Sequence, residues 1–444
     1  MIKGETYTVH IGNNLDILPT LEDNSIDSIV TDPPYELGFM GKKWDSSGIA
    51  YSVELWKECL RVLKPGGHLL SFGGTRTWHR VAVAIEDAGF EVRDSIAWMY
   101  GSGFPKSLDI SKAIDKAAGA EREVLTETVE DLFGEREEEK KLAQPGATGD
   151  RLAMGNGWQQ APTETAPRTP KAQQWEGWGT ALKPAFEPIV VARKPLIGTV
   201  AANVLEHGTG GLNIDGSRIG TAVETWPKSR MYGGKSEVSF TSSQETIAAQ
   251  PTGEAPSGRW PANVILDPYT AELLDEQSGL SKSTGGQKSL GAFRNGDVYG
   301  SGKDIREAGD PGYGDTGGAS RFFYVAKASK RDRNEGLDTL PINRPDTRSS
   351  TGMGTFEEKR VQPQQNFHPT VKPTALMRYL VKLVTPPGGT VLDPFTGSGS
   401  TGKAAILEGF EFVGIELTED YIPIIEGRLK HAEETVNNKE EGLF

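Results

Sequence analysis

Cysteine occurs once in 444 residues, so neither an intrachain disulfide framework nor a cysteine-rich metal site can be built. The six histidines are scattered, with no pair at metal-ligand spacing, which speaks against metal chemistry. No apolar run reaches the ~18 residues that a membrane span needs. The opening Met1-Ile2-Lys3-Gly4-Glu5 lacks the basic-then-apolar layout of a signal peptide. Together these absences predict a soluble, cytoplasmic protein with no membrane partner. Positive charge is also scarce. The formal net charge of −13 counts against a protein that coats nucleic acid through a general cationic field, although a local basic cleft is compatible with it. Part of the acidity is segregated, in 121–141 and in the tail from Glu433, and both runs read as solvated helix or disorder. The lone Cys59 shares a helical face with Trp56, Leu60 and Leu63, so it reads as a small core residue.

What is present is an alternation. Apolar runs at 8–11, 25–31, 68–74 and 91–100 read as strands, and the stretches 14–21, 53–63 and 76–88 as helices between them. That order predicts a parallel sheet covered by helices. From about residue 119 to 182 the pattern dissolves into the acidic run and then Pro-, Gly-, Gln- and Trp-bearing sequence. One strand returns at 188–193. Residues 198–365 are rich in Gly, Ser and Asn, with strand-like pieces at 262–266 and 322–326, as expected of a functional insertion. The α/β pattern resumes with a helix at 374–384, strands at 390–395 and 411–416, a helix at 400–408 between them, and a last helix from near Thr418. The expectation is an α/β fold whose single sheet is started at the N-terminus and completed at the C-terminus. The segments expected are a catalytic half at 1–118, an insertion at 119–183, a further strand at 184–197, a target-recognition region at 198–365 and a cofactor-binding half at 366–444.

Two turns carry the chemistry. Asp32-Pro33-Pro34-Tyr35 ends the strand 25–31, because two consecutive prolines supply no ladder donors. It pins a carboxylate, free backbone carbonyls and an aromatic ring at the carboxyl end of a strand, where open α/β sheets bind ligands. Such an acceptor cluster suits a planar molecule with an exocyclic amino group, such as a nucleobase. The second turn, Gly397-Ser398-Gly399-Ser400-Thr401-Gly402, fits Gly-x-G-x-x-Gly between a strand and a helix, with Glu416 ending the next strand. With Lys403 it also resembles a phosphate loop, but Ala404 stands where Mg²⁺ would need a hydroxyl. A dinucleotide site remains open on the glycines alone. Asp393 at the strand end would repel a pyrophosphate and welcome a cation, which favours S-adenosylmethionine.

The pair of turns, in this order, resembles the beta class of DNA amino-methyltransferases, in which the catalytic motif precedes the recognition region and the cofactor motif comes last. Gly12-Asn13-Asn14-Leu15-Asp16, Leu63-Lys64-Pro65-Gly66-Gly67 and His368-Pro369-Thr370-Val371-Lys372-Pro373 also match, and pieces near Lys42 and Gly101 are similar to phage and prophage members. The resemblance covers about the first hundred residues and the last eighty. It implies a Rossmann-like methyltransferase sheet with circularly permuted motifs, S-adenosylmethionine as cofactor, double-stranded DNA as partner and extrusion of the target base. Asp32 and the Pro33 carbonyl would accept the amino hydrogens, with Pro34 stiffening the turn, and Tyr35 would stack on the base. Asp393, Phe395, Gly397, Gly399, Ser400 and Thr401 would line the cofactor pocket, Glu416 would hold the ribose, Asp16 would meet the adenine, and Lys372 would flank the methionine end. Asp at the first motif position leans towards adenine N6, with cytosine N4 as the alternative. An RNA or protein amide is a remoter target, and an NTPase-like module remoter still. Ring-carbon methylation would require a cysteine nucleophile in a Pro-Cys setting, which Cys59 lacks. Lys42, Lys43 and Trp44 would line the opening for the base, and Arg321, Lys330, Arg331 and Arg333 would meet phosphates. A homodimer and a restriction-endonuclease partner are compatible with the resemblance.

Overall fold

The computed structural model describes residues 1–37, 43–101, 103, 107–125, 165–223, 257–282, 316–326, 331–341 and 365–441. The chain divides into two compact units. One comprises Met1–Met99, Glu187–Asp338 and His368–Phe444, and the other Tyr100–Phe186 and Thr339–Phe367. No helix among the described residues is long and apolar enough to cross a membrane.

The larger unit is built on a ten-stranded sheet. Its strands are β1 (Ile2–Lys3), β2 (Tyr7–Ile11), β3 (Ile26–Thr31), β4 (Leu63–Phe72), β5 (Glu91–Met99), β6 (Phe186–Arg193), β7 (Val264–Leu266), β8 (Tyr324–Val325), β9 (Thr390–Asp393) and β10 (Glu411–Glu416). The helices are α1 (Asn14–Ile17), α2 (Val53–Val62), α3 (Trp78–Asp87), α4 (Ile110–Ala117), α5 (Pro170–Gln174), α6 (Val200–His207), α7 (Pro268–Ser278), α8 (Thr374–Val384), α9 (Ser400–Leu407) and α10 (Ile422–Glu441), of which α4 and α5 belong to the smaller unit. The strand order is β1-β2-β10-β9-β3-β4-β6-β5-β7-β8. From β2 to β4 every pairing is parallel, while β6 runs antiparallel to β4. A single sheet is therefore begun by the N-terminal segment and completed by the C-terminal one.

The parallel strands are buried along their length; all six residues of β3 are buried. Ile29, Leu69, Leu392 and Ile415 meet Leu55, Trp56, Cys59, Val81 and Ile85 of α2 and α3 in one core. Alternate residues point to the other face, where the Ser28 hydroxyl lies 2.8 Å from that of Thr385, just past α8. Cys59 is thus core, and burial pushes its thiol well up, which makes it inert.

Three expectations shift in detail. The helix expected at 14–21 is α1 followed by a 3-10 turn at Leu18–Thr20, where Pro19 supplies no amide donor. β4 begins at Leu63 rather than at His68: Leu63 pairs with Ile26, and the register then slips to Ser28 opposite His68. Lys64-Pro65-Gly66-Gly67 is therefore a bulge within a strand rather than a loop before it. α10 starts at Ile422, after a 3-10 turn at Glu419–Tyr421. The strand-like pieces at 262–266 and 322–326 join the main sheet, since β7 pairs in parallel with β5 and β8 with β7.

In the smaller unit the described residues gather around Asp115, which is buried. Its carboxylate accepts from Arg122 Nη1 (3.0 Å), the Arg168 and Thr169 amides (2.9 and 3.0 Å) and the Thr169 hydroxyl (2.8 Å). Most of the acidic run 121–141 lies outside the described residues.

Candidate active site

The chain leaves β9 towards β10 on one side and β3 towards β4 on the other, so the strand order reverses between β9 and β3. Ligands of open α/β sheets bind at such a reversal, beyond the carboxyl ends of the strands. Asp32 follows β3, Asp393 ends β9 and Glu416 ends β10, so three carboxylates stand on one edge at adjacent strands. The Thr31 hydroxyl donates to Asp393 Oδ1 at 2.6 Å and ties the two turns together.

Around Asp32 the side chains form one network. Lys372 Nζ lies 2.8 Å from Asp32 Oδ2, 3.1 Å from Glu187 Oε2 and 3.1 Å from the Tyr35 hydroxyl. The Tyr35 hydroxyl donates in turn to Glu187 Oε2 at 2.8 Å. The Lys372 ammonium sits over the rings of Tyr35 and Phe72, at 5.3 and 4.9 Å from their centroids. Although burial alone would push it down, the Asp32 and Glu187 carboxylates raise the Lys372 ammonium well above its ordinary range, so it stays charged. Burial first, then the same two carboxylates, hold the Tyr35 phenol neutral. Asp32 Oδ1 is buried and has no hydrogen-bond partner among the described residues. The turn is fixed from behind, because Thr77 Oγ1 donates to the Tyr35 carbonyl at 2.8 Å. The following Glu36 adopts a φ of +55°, with its carboxylate accepting from the Gly48 amide at 2.8 Å.

The glycine turn has a separate reason for each glycine. Gly397 and Gly399 take φ of +56° and +74°, and a side chain on Gly402 would run into Phe412 and Leu429. Glu416 accepts from the Gly397 amide (2.7 Å) and the Thr418 amide (2.8 Å), leaving lone pairs on both oxygens. Asp393 also accepts from the Phe395 amide at 3.0 Å, yet burial leaves its carboxyl raised to about 6. Lys403 does not serve this turn as a phosphate ligand: buried, it is spent on Asp332 and Glu335, both at 2.8 Å. The buried Arg428 instead props the turn from within, donating to the Ser398 carbonyl (2.7 Å) and to the hydroxyls of Ser398 and Ser400 (3.0 Å each). Carboxylates, a glycine turn and hydroxyls fit a cationic, phosphate-free nucleoside such as S-adenosylmethionine; a pyrophosphate would meet Asp393 and Glu416 without a free cation in the turn.

The remaining expected residues fall as follows. Asp16 lies exposed on α1, two residues beyond Asn14, whose amide donates to the Pro394 carbonyl at 3.3 Å. Lys372, expected beside the methionine end of the cofactor, has its ammonium on the catalytic turn. Lys43 and Trp44 belong to a 3-10 turn at Lys43–Ser46, while Lys42 and Lys330 lie outside the described residues. Arg321 turns back on its own segment, donating to the Gly317 and Gly318 carbonyls and to Ser281. Arg333 donates to the His368 carbonyl, and Arg331 is exposed. Glu187, His368, Asp332 and Arg428 were not singled out from the sequence. The Glu187 signal is faint, a lone acid heading an apolar strand. His368 stands in the noted His-Pro-Thr motif, with its ring edge-on to Tyr421 (4.5 Å between centroids) and against Gly397.

An α/β sheet with an acceptor turn and a glycine turn meeting at its point of reversal defines a nucleoside-cofactor enzyme. The family model described as DNA methylase, of the N6 and N4 type, matches residues 26–427, and the chain belongs to that family. Among curated relatives, DNA adenine methyltransferase YhdJ of Escherichia coli (strain K12) is 49% identical over 55 residues, 12% of this chain and 19% of its own. Type II methyltransferase M.HpaI of Haemophilus parainfluenzae is 37% identical over 109 residues, 23% of this chain and 35% of its own. The matches thus span a fifth to a third of those relatives. A solved structure of PvuII DNA methyltransferase (cytosine-N4-specific) aligns over 96% of this chain and 87% of its own at 12% identity, with a TM-score of 0.40.

Proposed function

We propose that the protein transfers a methyl group from S-adenosylmethionine to the exocyclic amino group of a base extruded from double-stranded DNA, and that the base is adenine. The observation that carries this reading is Asp32 Oδ1, a buried acceptor without a partner among the described residues, beside the Tyr35 ring and one strand from Asp393. Leaving such an oxygen unpaired costs about 1–3 kcal/mol, a cost that an incoming N–H donor removes.

When bound, the cofactor supplies an electrophilic methyl group on a positively charged sulfur. The chain's own residues do the rest. An aromatic amine is a poor nucleophile because its lone pair is delocalised into the ring. Asp32 Oδ1 and the Pro33 carbonyl accept its two N–H groups, which favours a pyramidal nitrogen and frees the lone pair. Tyr35 stacks on the ring, repaying part of the few kcal/mol that extrusion costs. Once methylated, the nitrogen would lose one N–H proton, which would leave through the Asp32 carboxylate to water. The choice of adenine rests on Asp at the first position of the catalytic motif.

Incubation with unmodified DNA and S-adenosylmethionine, followed by nucleoside mass spectrometry, tests the reading. N6-methyladenine is expected; N4-methylcytosine as the sole product would overturn the choice of base. Asp32→Ala should abolish transfer and leave cofactor binding intact.

A further inference from the structure

The geometry points to Glu187 as a positioning residue that sets the net charge of the catalytic acceptor; this rests on the methyl-transfer reading above. Topology brings it there. β6 is antiparallel to β4, with Ile189 opposite Phe72 and the Pro188 carbonyl accepting from the Gly73 amide. Its first residues therefore stand at the edge where its parallel neighbours end, level with Asp32.

Lys372 divides its ammonium between two carboxylates, at 2.8 Å from Asp32 and 3.1 Å from Glu187. Two carboxylates against one ammonium leave one net negative charge. With Asp32 alone, the ammonium would neutralise the acceptor. That charge matters because positive charge develops on the target nitrogen as it attacks, and preorganised opposite charge in a largely buried site stabilises that state selectively. Glu187 also accepts a hydrogen bond from the Tyr35 hydroxyl at 2.8 Å, which fixes the ring on which the base stacks. Charge and shape are separable by substitution. Gln keeps the length and an acceptor oxygen for Lys372 and Tyr35 but removes the charge, whereas Asp keeps the charge and shortens the reach by one methylene.

The test uses the full-length chain, single-turnover methylation of DNA from pH 6 to 9, and calorimetric binding of S-adenosylmethionine. Glu187→Gln should lower the transfer rate roughly 10- to 100-fold, with cofactor affinity and the KM for DNA unchanged. Glu187→Asp should be the faster of the two. Glu187→Gln at the wild-type rate, or Gln faster than Asp, would overturn the inference and leave the methyl-transfer reading standing. A wild-type chain that binds the cofactor and transfers nothing to DNA would overturn both.

Discussion

Asp393 is 2% exposed and keeps its place by accepting from the Thr31 hydroxyl and the Phe395 amide. Burial, only partly offset by those donors, raises its carboxyl to about 6. A cationic cofactor binds the ionised form better, so affinity for S-adenosylmethionine should be flat above about pH 7 and fall as the pH drops through 6. Below that the loss approaches about tenfold per pH unit. His368 cannot mimic this, because burial lowers its imidazole to about 4 and leaves it neutral throughout the window. The linkage of Asp393 itself to folding has the opposite sign. A carboxyl raised in the fold contributes stability that is present below its unfolded value and lost as pH rises through 6, so this group does not weaken the fold on acidification. Calorimetry between pH 5.5 and 8 checks the prediction, with Asp393→Asn expected to flatten the curve; a wild-type affinity independent of pH would remove Asp393 from the cofactor site. At this scale the sequence was informative where chemistry is local. Asp32, Tyr35, Asp393 and Glu416 stand at strand ends beside turns that proline and glycine announce. Glu187 was not legible, since its relevance depends on the direction of β6, which no neighbouring residue encodes. The partners of Lys372, namely Asp32, Glu187 and the Tyr35 hydroxyl, were not legible either, since they come from three distant stretches of chain.

Helices and strands were read correctly in type where amphipathic periodicity or β-branched runs were strong, as in α8, whose bounds 374–384 are those expected. The misplaced start of β4 shows what periodicity cannot see. Lys64-Pro65-Gly66-Gly67 has the composition of a turn, yet the Pro65 carbonyl accepts from Asn203 Nδ2 (2.8 Å) and Thr209 Oγ1 (2.5 Å), groups on or near α6. The Gly66 amide donates to the Lys194 carbonyl at 3.1 Å. Tertiary partners thus hold a bulge inside the strand. Gly66 has φ +80°, and a side chain there would run into Asn203 and crowd Leu196 and Gly210. Gly66→Ala should therefore destabilise the protein by on the order of 2–4 kcal/mol, from backbone strain plus overpacking. Thermal or urea unfolding measures this. Gly388→Ala is the control, since its φ of +70° carries the same backbone strain but nothing lies within 4 Å of the added carbon. Equal losses in the two variants would refute the packing part of the argument.

The whole molecule carries a formal charge of −13, so the DNA binding proposed above would rest on local basic groups rather than on a general cationic field. The sequence offered Lys330, Arg331 and Arg333 as one basic group; the fold separates the two that are described. Arg333 donates to the carbonyl of His368, whose ring rests against Gly397, so it supports the glycine turn proposed to hold the cofactor. Asp332 between them accepts from the Thr374 amide at 2.7 Å and from Lys403, anchoring the segment to the starts of α8 and α9. Arg331 is exposed on the same anchored segment. A phosphate contact there adds counterion release, and removing it should reduce the slope of log affinity against log salt by about one. Arg331→Ala should therefore weaken DNA binding uniformly across sequences, flatten the salt dependence and leave S-adenosylmethionine binding untouched. Arg333→Ala should do the reverse, weakening cofactor binding several-fold at an unchanged salt slope. Fluorescence anisotropy on a short duplex from 50 to 300 mM salt, paired with cofactor calorimetry, measures both. An unchanged slope in Arg331→Ala would remove that residue from the interface, and a reduced slope in Arg333→Ala would restore the single basic group that the sequence suggested.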